Sequence, residues 1–502
     1  MKRMYFLLLL WIPLLSWSYP KYEMRGAWIA TVANIDWPSQ SNLSTKEQQS
    51  EMIAILDSLE KANFNAVFFQ IRPCGDALYE SEIEPWSKYL TGRQGVEPAD
   101  FYDPLAFVCN EAHKRCIEVH AWINPYRILN SNKIDDLFSD HLYHRHPEYF
   151  IKYASKWYFN PGLDQTQYYL NRVVADIVTR YDIDAIHMDD YFYPYPVGRL
   201  KFNDISTFER YPRGFTNIQD WRRNNVTSIV KLVSTTIKRI KPWVEFGISP
   251  FGVWRNYTTD KSGSYSQAGI TNYDDLYADI DLWMKDSLID YVVPQLYWSI
   301  GRKDVDYVTL LGWWRNHSRT VSMYSGMAIY KLGDSNFGEA WNQGNEICRQ
   351  LEINRETHRV KGQVMYPVHS ILKDKKGILD SLKNIYYLYP SLIPPCRHIP
   401  SGKTIQPANM RVEKLGKRRY LFWDEVYDNG GYEVAYYVVY LFPGAQVGDL
   451  SNPVYIYAKT IDTVVDLSQL EEDLDGKWTF VVTSINRFKQ ESEVERCITL
   501  SL

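Results

Sequence analysis

Asp189 and Asp190 stand side by side in the run His187-Met188-Asp189-Asp190-Tyr191-Phe192-Tyr193-Pro194. Two carboxyls at one place are what hydrolysis of a glycosidic bond commonly requires, one giving a proton and the other acting as nucleophile, base or charge stabiliser. Neighbouring strand residues point to opposite faces, so both acids reach one substrate only if the chain leaves its strand there. The Tyr-Phe-Tyr-Pro segment is where that departure is expected. A charged neighbour and aromatic walls would raise the pKa of one member and suit it to be a general acid. The alternative is that one Asp caps the following loop and only the other does chemistry. Other short apolar runs end in amides, guanidinium groups and rings: Gln70-Ile71-Arg72, Trp122-Ile123-Asn124-Pro125-Tyr126-Arg127, Ser249-Pro250-Phe251-Gly252-Val253-Trp254, Gln295-Leu296-Tyr297-Trp298 and Tyr366-Pro367-Val368-His369. Such groups hydrogen-bond hydroxyls and stack on pyranose faces.

These segments need a frame that brings their ends together. From Met24 to about Pro395 short β-branched or aromatic runs alternate with longer amphipathic stretches, the rhythm of βα units around a parallel sheet. Strands are expected at Gly26–Ala33, Ala66–Ile71, Glu118–Ile123, Ala185–Met188, Glu245–Ser249, Tyr291–Pro294, Gly326–Tyr330 and Gly362–Tyr366, and eight of them suggest a closed (β/α)8 barrel of the TIM type. In such a barrel reactive side chains collect at the C-terminal strand ends. Helices are expected at Thr45–Ala62 after a Ser44 or Thr45 cap, Pro104–Arg115, Gln165–Arg180, Asp220–Ile240, Tyr273–Asp286, Ala340–Asn354 and Gly377–Tyr387. Residues 396–407 read as a linker rich in Pro, Gly, Ser and Lys. Residues 408–502 carry short alternating runs at Arg419–Trp423, Glu433–Leu441, Val454–Ala458, Thr463–Leu467 and Trp478–Ser484, separated by turns such as Asp428-Asn429-Gly430-Gly431. A small all-β sandwich of immunoglobulin size is the natural reading.

Composition narrows the function classes. The chain has 502 residues, too many for one core, and a net charge of -4 with no dense basic run, which argues against nucleic acid as a partner. Its 39 Tyr and 17 Trp exceed what a core alone uses and supply sugar-stacking platforms as well as packing. Lys2 and Arg3 precede an apolar run that ends in small residues at Ser16 and Ser18, so residues 1–18 read as a secretory signal and the protein as periplasmic or extracellular. The run is too short to span a bilayer, no cysteine follows it to carry a lipid, and no other uncharged stretch approaches spanning length. Cys109 and Cys116, seven apart on an expected helix, read as small buried hydrophobes and not as a disulfide.

Several long segments resemble one family. Glu23–Ser39, Phe68–Gly92, Val119–Arg127, Tyr158–Gly162, Ala185–Pro194, Ser249–Asn256 and Pro294–Trp298 are similar, in order, to the glycosyl-hydrolase-10-like barrels, over about residues 22–390. The resemblance implies a bacterial glycosidase related in fold to retaining xylanases and acting on the glycan strands of peptidoglycan. It makes Asp189 and Asp190 the catalytic pair. It implies substrate binding by Gln70, Arg72, Asn124, Tyr126, Gln295 and Tyr297. Tyr191, Trp254, Trp298 and His369 join that expected set from their strand ends, and Asn160 joins it unless it is a turn residue. No cofactor or metal is called for. Cys116 stands where the family pattern leads one to expect glycine, a departure bearing on packing. The tail, with Trp423, Tyr436–Tyr440 and Val482–Phe488, resembles fibronectin type III modules and is expected to be a spacer or a wall-docking unit.

Two rival readings stay open at this point. One is a metal-dependent hydrolase with His120, His187, Asp189 and His369 as ligands. The other is a glycan-binding protein without catalysis. The partner of the first acid is also open: Asp36, Asp76 and Glu80 follow the first two strands, Glu245 lies at the wrong end of its strand, and a 2-acetamido group on the sugar could itself be the nucleophile. The barrel reading carries a geometric expectation. Gln70, Arg72, Asn124, Tyr126, Asp189, Asp190, Gln295, Tyr297 and His369 should converge on one open face, and the barrel should stand without residues beyond about Ile405.

Overall fold

The structure, a computed structural model, describes residues 19–397, 402, 404–427, 433–468, 470 and 476–501. The expected leader at residues 1–18 and the Asp428–Gly431 turn lie outside the described residues.

Eight parallel strands close into a barrel: Met24–Ile29, Ala66–Arg72, Glu118–Ile123, Ala185–Met188, Glu245–Ile248, Tyr291–Val292, Ser322–Ala328 and Val360–Tyr366. Each overlaps an expected strand, the seventh starting before the expected Gly326–Tyr330 and giving way to a 3-10 turn at Ile329–Lys331, and the eighth pairs with the first in parallel register, Met24 opposite Gly362. The first strand ends earlier than its apolar run because Ala33 and Asn34 turn into positive φ, at 56° and 53°. Helix caps follow their sequence signals. Ser44 and Glu47 form a reciprocal capping box at Thr45–Lys61, and Asp103 caps Pro104–His113.

Three expected helices change shape. Tyr273–Asp286 shrinks to Ile280–Lys285, because the Asp279 carboxylate accepts from Leu282 N and sets the start there. Ala340–Asn354 splits into Glu339–Asn342 and Glu346–Glu356 around Gly344, whose φ is 88°. Gly377–Tyr387 becomes a short α-turn at Ile378–Ser381 followed by a π-helical turn at Leu382–Tyr386. A helix at Tyr307–His317, capped by Asp306, completes the sixth βα unit where no helix was expected. Beyond the third strand an unanticipated antiparallel sheet of Arg127–Leu129, Lys156–Phe159 and Phe150–Tyr153 folds over the barrel. Cys116 sits at φ 51°, the left-handed conformation that glycine adopts freely, so its departure from the family pattern concerns the backbone rather than packing. The six cysteines are all free.

Two layers of core hold the barrel. Between strands and helices lies an apolar layer including Ile29, Val67, Phe69, Val119, Ile186 and Met188. Inside lie Trp28, Phe68, Trp122, Tyr291 and Tyr324. Tyr291 fits there because the fifth strand carries Gly247, where a Cβ would fall 1.9 Å from the tyrosine ring. The same hydroxyl joins two interior histidines, 2.8 Å from His120 Nδ1 and 3.1 Å from His187 Nδ1. Both therefore serve the barrel's interior.

The tail forms two antiparallel sheets, Arg411–Leu415 with Arg418–Phe422 and Val464–Asp466, and Ile456–Thr460 with Val434–Pro443, Lys477–Asn486 and Ile498–Ser501. Leu421, Trp423, Val439, Phe480 and Val482 form the core they share. The tail is seated on the N-terminal end of the barrel. Leu392 joins the tail's Val438, Tyr440 and Ile485 in one apolar cluster. Arg487 Nη2 reaches Asp182 at 2.7 Å, Glu491 pairs with Lys21 at 2.6 Å, and Lys489 is buried between Glu118, at 3.0 Å, and Glu245. A spacer would make fewer such contacts.

Candidate functional site

The fourth strand carries Ala185 and His187 inward, and period-two alternation puts Asp189 on the same side, above the barrel axis. Trp122 and Asn124, inward residues of the neighbouring third strand and its extension, are waiting for it. Trp122 Nε1 donates to Asp189 Oδ2 at 3.1 Å, Asn124 Nδ2 donates to the same oxygen at 3.2 Å, and Tyr191 N donates to Oδ1 at 3.3 Å. Asn124 is itself fixed, its Oδ1 accepting from Arg127 N at 3.0 Å. Burial raises the Asp189 carboxyl above the usual range, while the Arg127 charge and these three donors pull it back.

After Met188 the ladder stops and the chain turns, Phe192 N donating to Asp190 O at 3.0 Å. That turn swings Asp190 back toward the same mouth. Its carboxyl meets the Tyr195 hydroxyl and Gln295. Gln295 is anchored from the sixth strand end by donating to Ser249 O at 3.0 Å. Among the described residues Asp190 has no ion pair with a lysine or arginine. Burial first, and the adjacent Asp189 charge second, push its carboxyl up to about 7, against the opposing pull of Tyr195 and Gln295. The two acids are thus both buried, at 3% and 4% exposure, yet differently held: one by three fixed donors, the other among rings.

Half-buried aromatic rings surround the pair. Tyr297 stacks on Tyr366, centroids 6.3 Å apart, and Tyr366 meets Trp28 edge-on. Tyr191 and Tyr195 lie 5.5 Å apart, and Trp298 meets Phe251 at 5.4 Å. Of the expected residues, Asn124, Tyr191, Gln295 and Tyr297 gather with Asp189 and Asp190, and Trp298 packs beside them. His369 stands on the eighth strand's end, diametrically opposite the fourth in the barrel order, its Nδ1 held 2.6 Å from Asp36 Oδ1.

Five residues expected to bind substrate are occupied elsewhere. Gln70 accepts from Thr31 N and Val32 N with Oε1, at 3.0 and 2.9 Å, and is fully buried. Arg72 makes a bidentate buried pair with Glu84 at 2.6 Å, which an isolated strand end could not foretell. Tyr126 is a core ring with its hydroxyl enclosed. Asn160 is the turn residue, its Oδ1 accepting from Gly162 N at 3.1 Å. Trp254 donates to Asp279 and stacks on Trp313. The full convergence of nine residues is therefore reduced to a smaller set. Among the other acids, Asp76 is buried under Cys74 N and Ser87, Glu80 sits on the surface with Arg180, and Asp36 belongs to His369.

Sequence reading missed Trp122, Arg127, Tyr195 and Tyr366. Trp122 was within reach, because alternation along the third strand puts His120, Trp122 and Asn124 on one face. Tyr195 had no such signal, since a strap of prolines carries it back. The set His120, His187, Asp189 and His369 does not form one coordination sphere: the first two bind Tyr291 and the last binds Asp36. Among the described residues no three or more His, Cys, Asp or Glu side chains are grouped as metal ligands.

Comparison with known proteins places this architecture. The chain is 41% identical over 493 residues to "Glycosyl hydrolase YngK" of Bacillus subtilis, covering 97% of this chain and 95% of that one. It is 39% identical over 365 residues to "Glycosyl hydrolase DigH" of Escherichia coli K12, covering 68% and 82%. Among solved structures the glycoside hydrolase domain of PgaB (BpsB) from Bordetella bronchiseptica overlays 72% of this chain and 99% of its own at 10% identity, with a TM-score of 0.44. The family model described as "Glycosyl hydrolase-like 10" matches residues 23–343. With a closed parallel barrel and relatives of this identity over most of its length, the chain belongs to the glycosyl hydrolase-like 10 family and is a glycoside hydrolase.

Proposed function

We propose that the enzyme cleaves β-linked 2-acetamido sugars in peptidoglycan glycan strands freed of their stem peptides, with Asp190 as the acid and Asp189 as the residue that orients the acetamido group. The observation that carries this reading is the unequal treatment of two adjacent acids. Asp190, titrating at about 7 among rings, holds a proton near neutral pH and gives it to the glycosidic oxygen as the C1–O bond breaks. The acetamido carbonyl oxygen closes on C1 from the other face. Asp189, fixed by Trp122, Asn124 and Tyr191 N, accepts the acetamido N–H and offsets the positive charge that develops on that group. Water then attacks C1 and breaks its bond to the acetamido oxygen, giving its proton to the Asp190 carboxylate, so the product keeps its anomeric configuration. Trp28, Tyr297 and Tyr366 supply the apolar wall that the acetamido methyl needs.

Export to the cell-wall side, and contact of the tail with the wall, belong to the same proposal and rest on the apolar leader of residues 1–18 and on the substrate. The test is product analysis on de-peptidated peptidoglycan strands, chitin oligomers and xylan, with anomers followed by NMR. Release of new reducing ends with retained configuration from the amino-sugar polymers is expected. Turnover of xylan with none of the amino-sugar polymers overturns the substrate, and an inverted product overturns the role given to Asp189.

A further inference from the structure

A cavity of about 520 Å³ opens beside the acid pair, in the range of small-ligand sites. One strap of chain touches both. Pro194 and Pro196 line the cavity, whereas Tyr195 between them turns the other way to meet Asp190. The far wall is built to be rigid. Arg222 reaches Tyr277 Oη at 2.8 Å, Asp204 at 2.5 and 3.0 Å and Phe202 O at 3.1 Å, so its charge is already matched. Asp274 is likewise matched by Arg255 at 2.8 Å, and Asp275 accepts from Thr271 N at 2.7 Å. On the rim, Leu200 and Ile205 expose apolar surface, at 57% and 48%. Asp275 has no ion pair among the described residues and is held by Thr271 alone, half-buried, whereas Lys201, also without an ion pair among them, is exposed.

We propose that this cavity is a second glycan subsite, taking a carboxylate-bearing sugar of the same polymer whose bond is broken at Asp190. The inference rests on the glycan reading above and adds a place, a residue and a charge preference to it. A polymer bound at the barrel mouth must continue past the scissile bond, and the strap that lines the cavity also carries Tyr195 to the acid. Prolines and exposed aliphatic groups meet the C–H faces of a sugar. The unmatched ammonium of Lys201 selects a sugar that carries a carboxylate, as muramic acid does once its peptide is removed.

Binding to the Asp190→Asn protein tests this without turnover, by calorimetry with three probes: a de-peptidated peptidoglycan octasaccharide, a neutral chitin octasaccharide and the peptidoglycan disaccharide. Asn203→Trp, and Gln219→Trp from the opposite wall, fill the cavity. Both should weaken the octasaccharides about tenfold and leave the disaccharide within about twofold. Lys201→Gln should weaken the peptidoglycan octasaccharide about fivefold and leave the neutral one unchanged, an effect that shrinks in salt. Unaltered octasaccharide binding in both filled variants, or an equal loss for the disaccharide, overturns the subsite. Equal behaviour of charged and neutral octasaccharides toward Lys201→Gln overturns the carboxylate preference. If the parent binds neither octasaccharide, it is the glycan reading that falls.

Discussion

Each end of this barrel brings a pair of carboxylates together. At the C-terminal end Asp189 and Asp190 lie among rings and amides, and among the described residues no lysine or arginine pairs with Asp190. At the N-terminal end Glu118 and Glu245, the first residues of the third and fifth strands, close on Lys489 from the tail, which is 5% exposed. The functional group is the carboxyl in both places and the outcomes are opposite. Where a cation is inserted, the acids become a fastening between two parts of the chain. Where none is, burial is relieved by a proton, and a proton held near neutral pH is what an acid catalyst needs. Between the ends runs a line of polar groups, Glu118, His120, Tyr291, His187 and Ser249, with links of 3.2, 2.8, 3.1 and 2.9 Å.

The sharpest way to break this contrast is to remove the proton donor. Asp190→Asn is nearly isosteric and should fold, while cleavage of amino-sugar glycans falls by about 10²–10⁴-fold. An aryl glycoside whose leaving group needs no proton should recover much of the loss in Asp190→Asn and little in Asp189→Asn. Full glycan cleavage by Asp190→Asn would end the assignment.

At the other end the expected loss is in stability. Lys489→Met leaves the buried Glu245 and the part-buried Glu118 without their cation and should cost about 3–5 kcal/mol in chemical denaturation. Adding Glu118→Gln and Glu245→Gln should return part of it. An unchanged midpoint in Lys489→Met would mean that the tail is the spacer its sequence suggested. The expectation that the barrel stands unaffected without residues beyond Ile405 is replaced by one of a weakened barrel.

A smaller effect separates the two pairs by pH. The Asp190 carboxyl titrates at about 7 in the folded protein and near 4 when unfolded. Between those values the folded state keeps a proton that the unfolded chain has released, so this group's contribution to stability falls as pH rises from about 4 to 7. Asp190→Asn should therefore melt higher than the parent at pH 8, with the gap closing toward pH 4. A gap independent of pH would show that Asp190 is not held protonated. The smallest expected change concerns Tyr195. Loss of the Asp190 proton should set the alkaline limb of kcat/KM near 7, and Tyr195→Phe, by deleting a donor to the ionised carboxyl, should move that limb to higher pH. A limb that stays in place would remove Tyr195 from the acid's environment.

Much of the frame was legible before any coordinates. Short β-branched and aromatic runs marked where the eight strands lie, Ser44 marked a helix start, and the strand-end rule pointed to Asp189 and Asp190. These signals are local, since a strand's alternation or a cap is written within a few residues. The Tyr307–His317 helix was overlooked, its apolar stripe of Leu310, Leu311, Trp313 and Trp314 being interrupted by Gly312. What the sequence could not decide was which strand-end side chains were free. Arg72 is taken by Glu84, Trp254 by Asp279, and Lys489 finds Glu245 across 244 residues. Nor could it tell that a turn after Met188 would bring Asp190 round to Tyr195 and Gln295. The type of a residue and its strand follow from nearby neighbours. Its partner, its burial and therefore its proton depend on groups that only the closed barrel brings within reach.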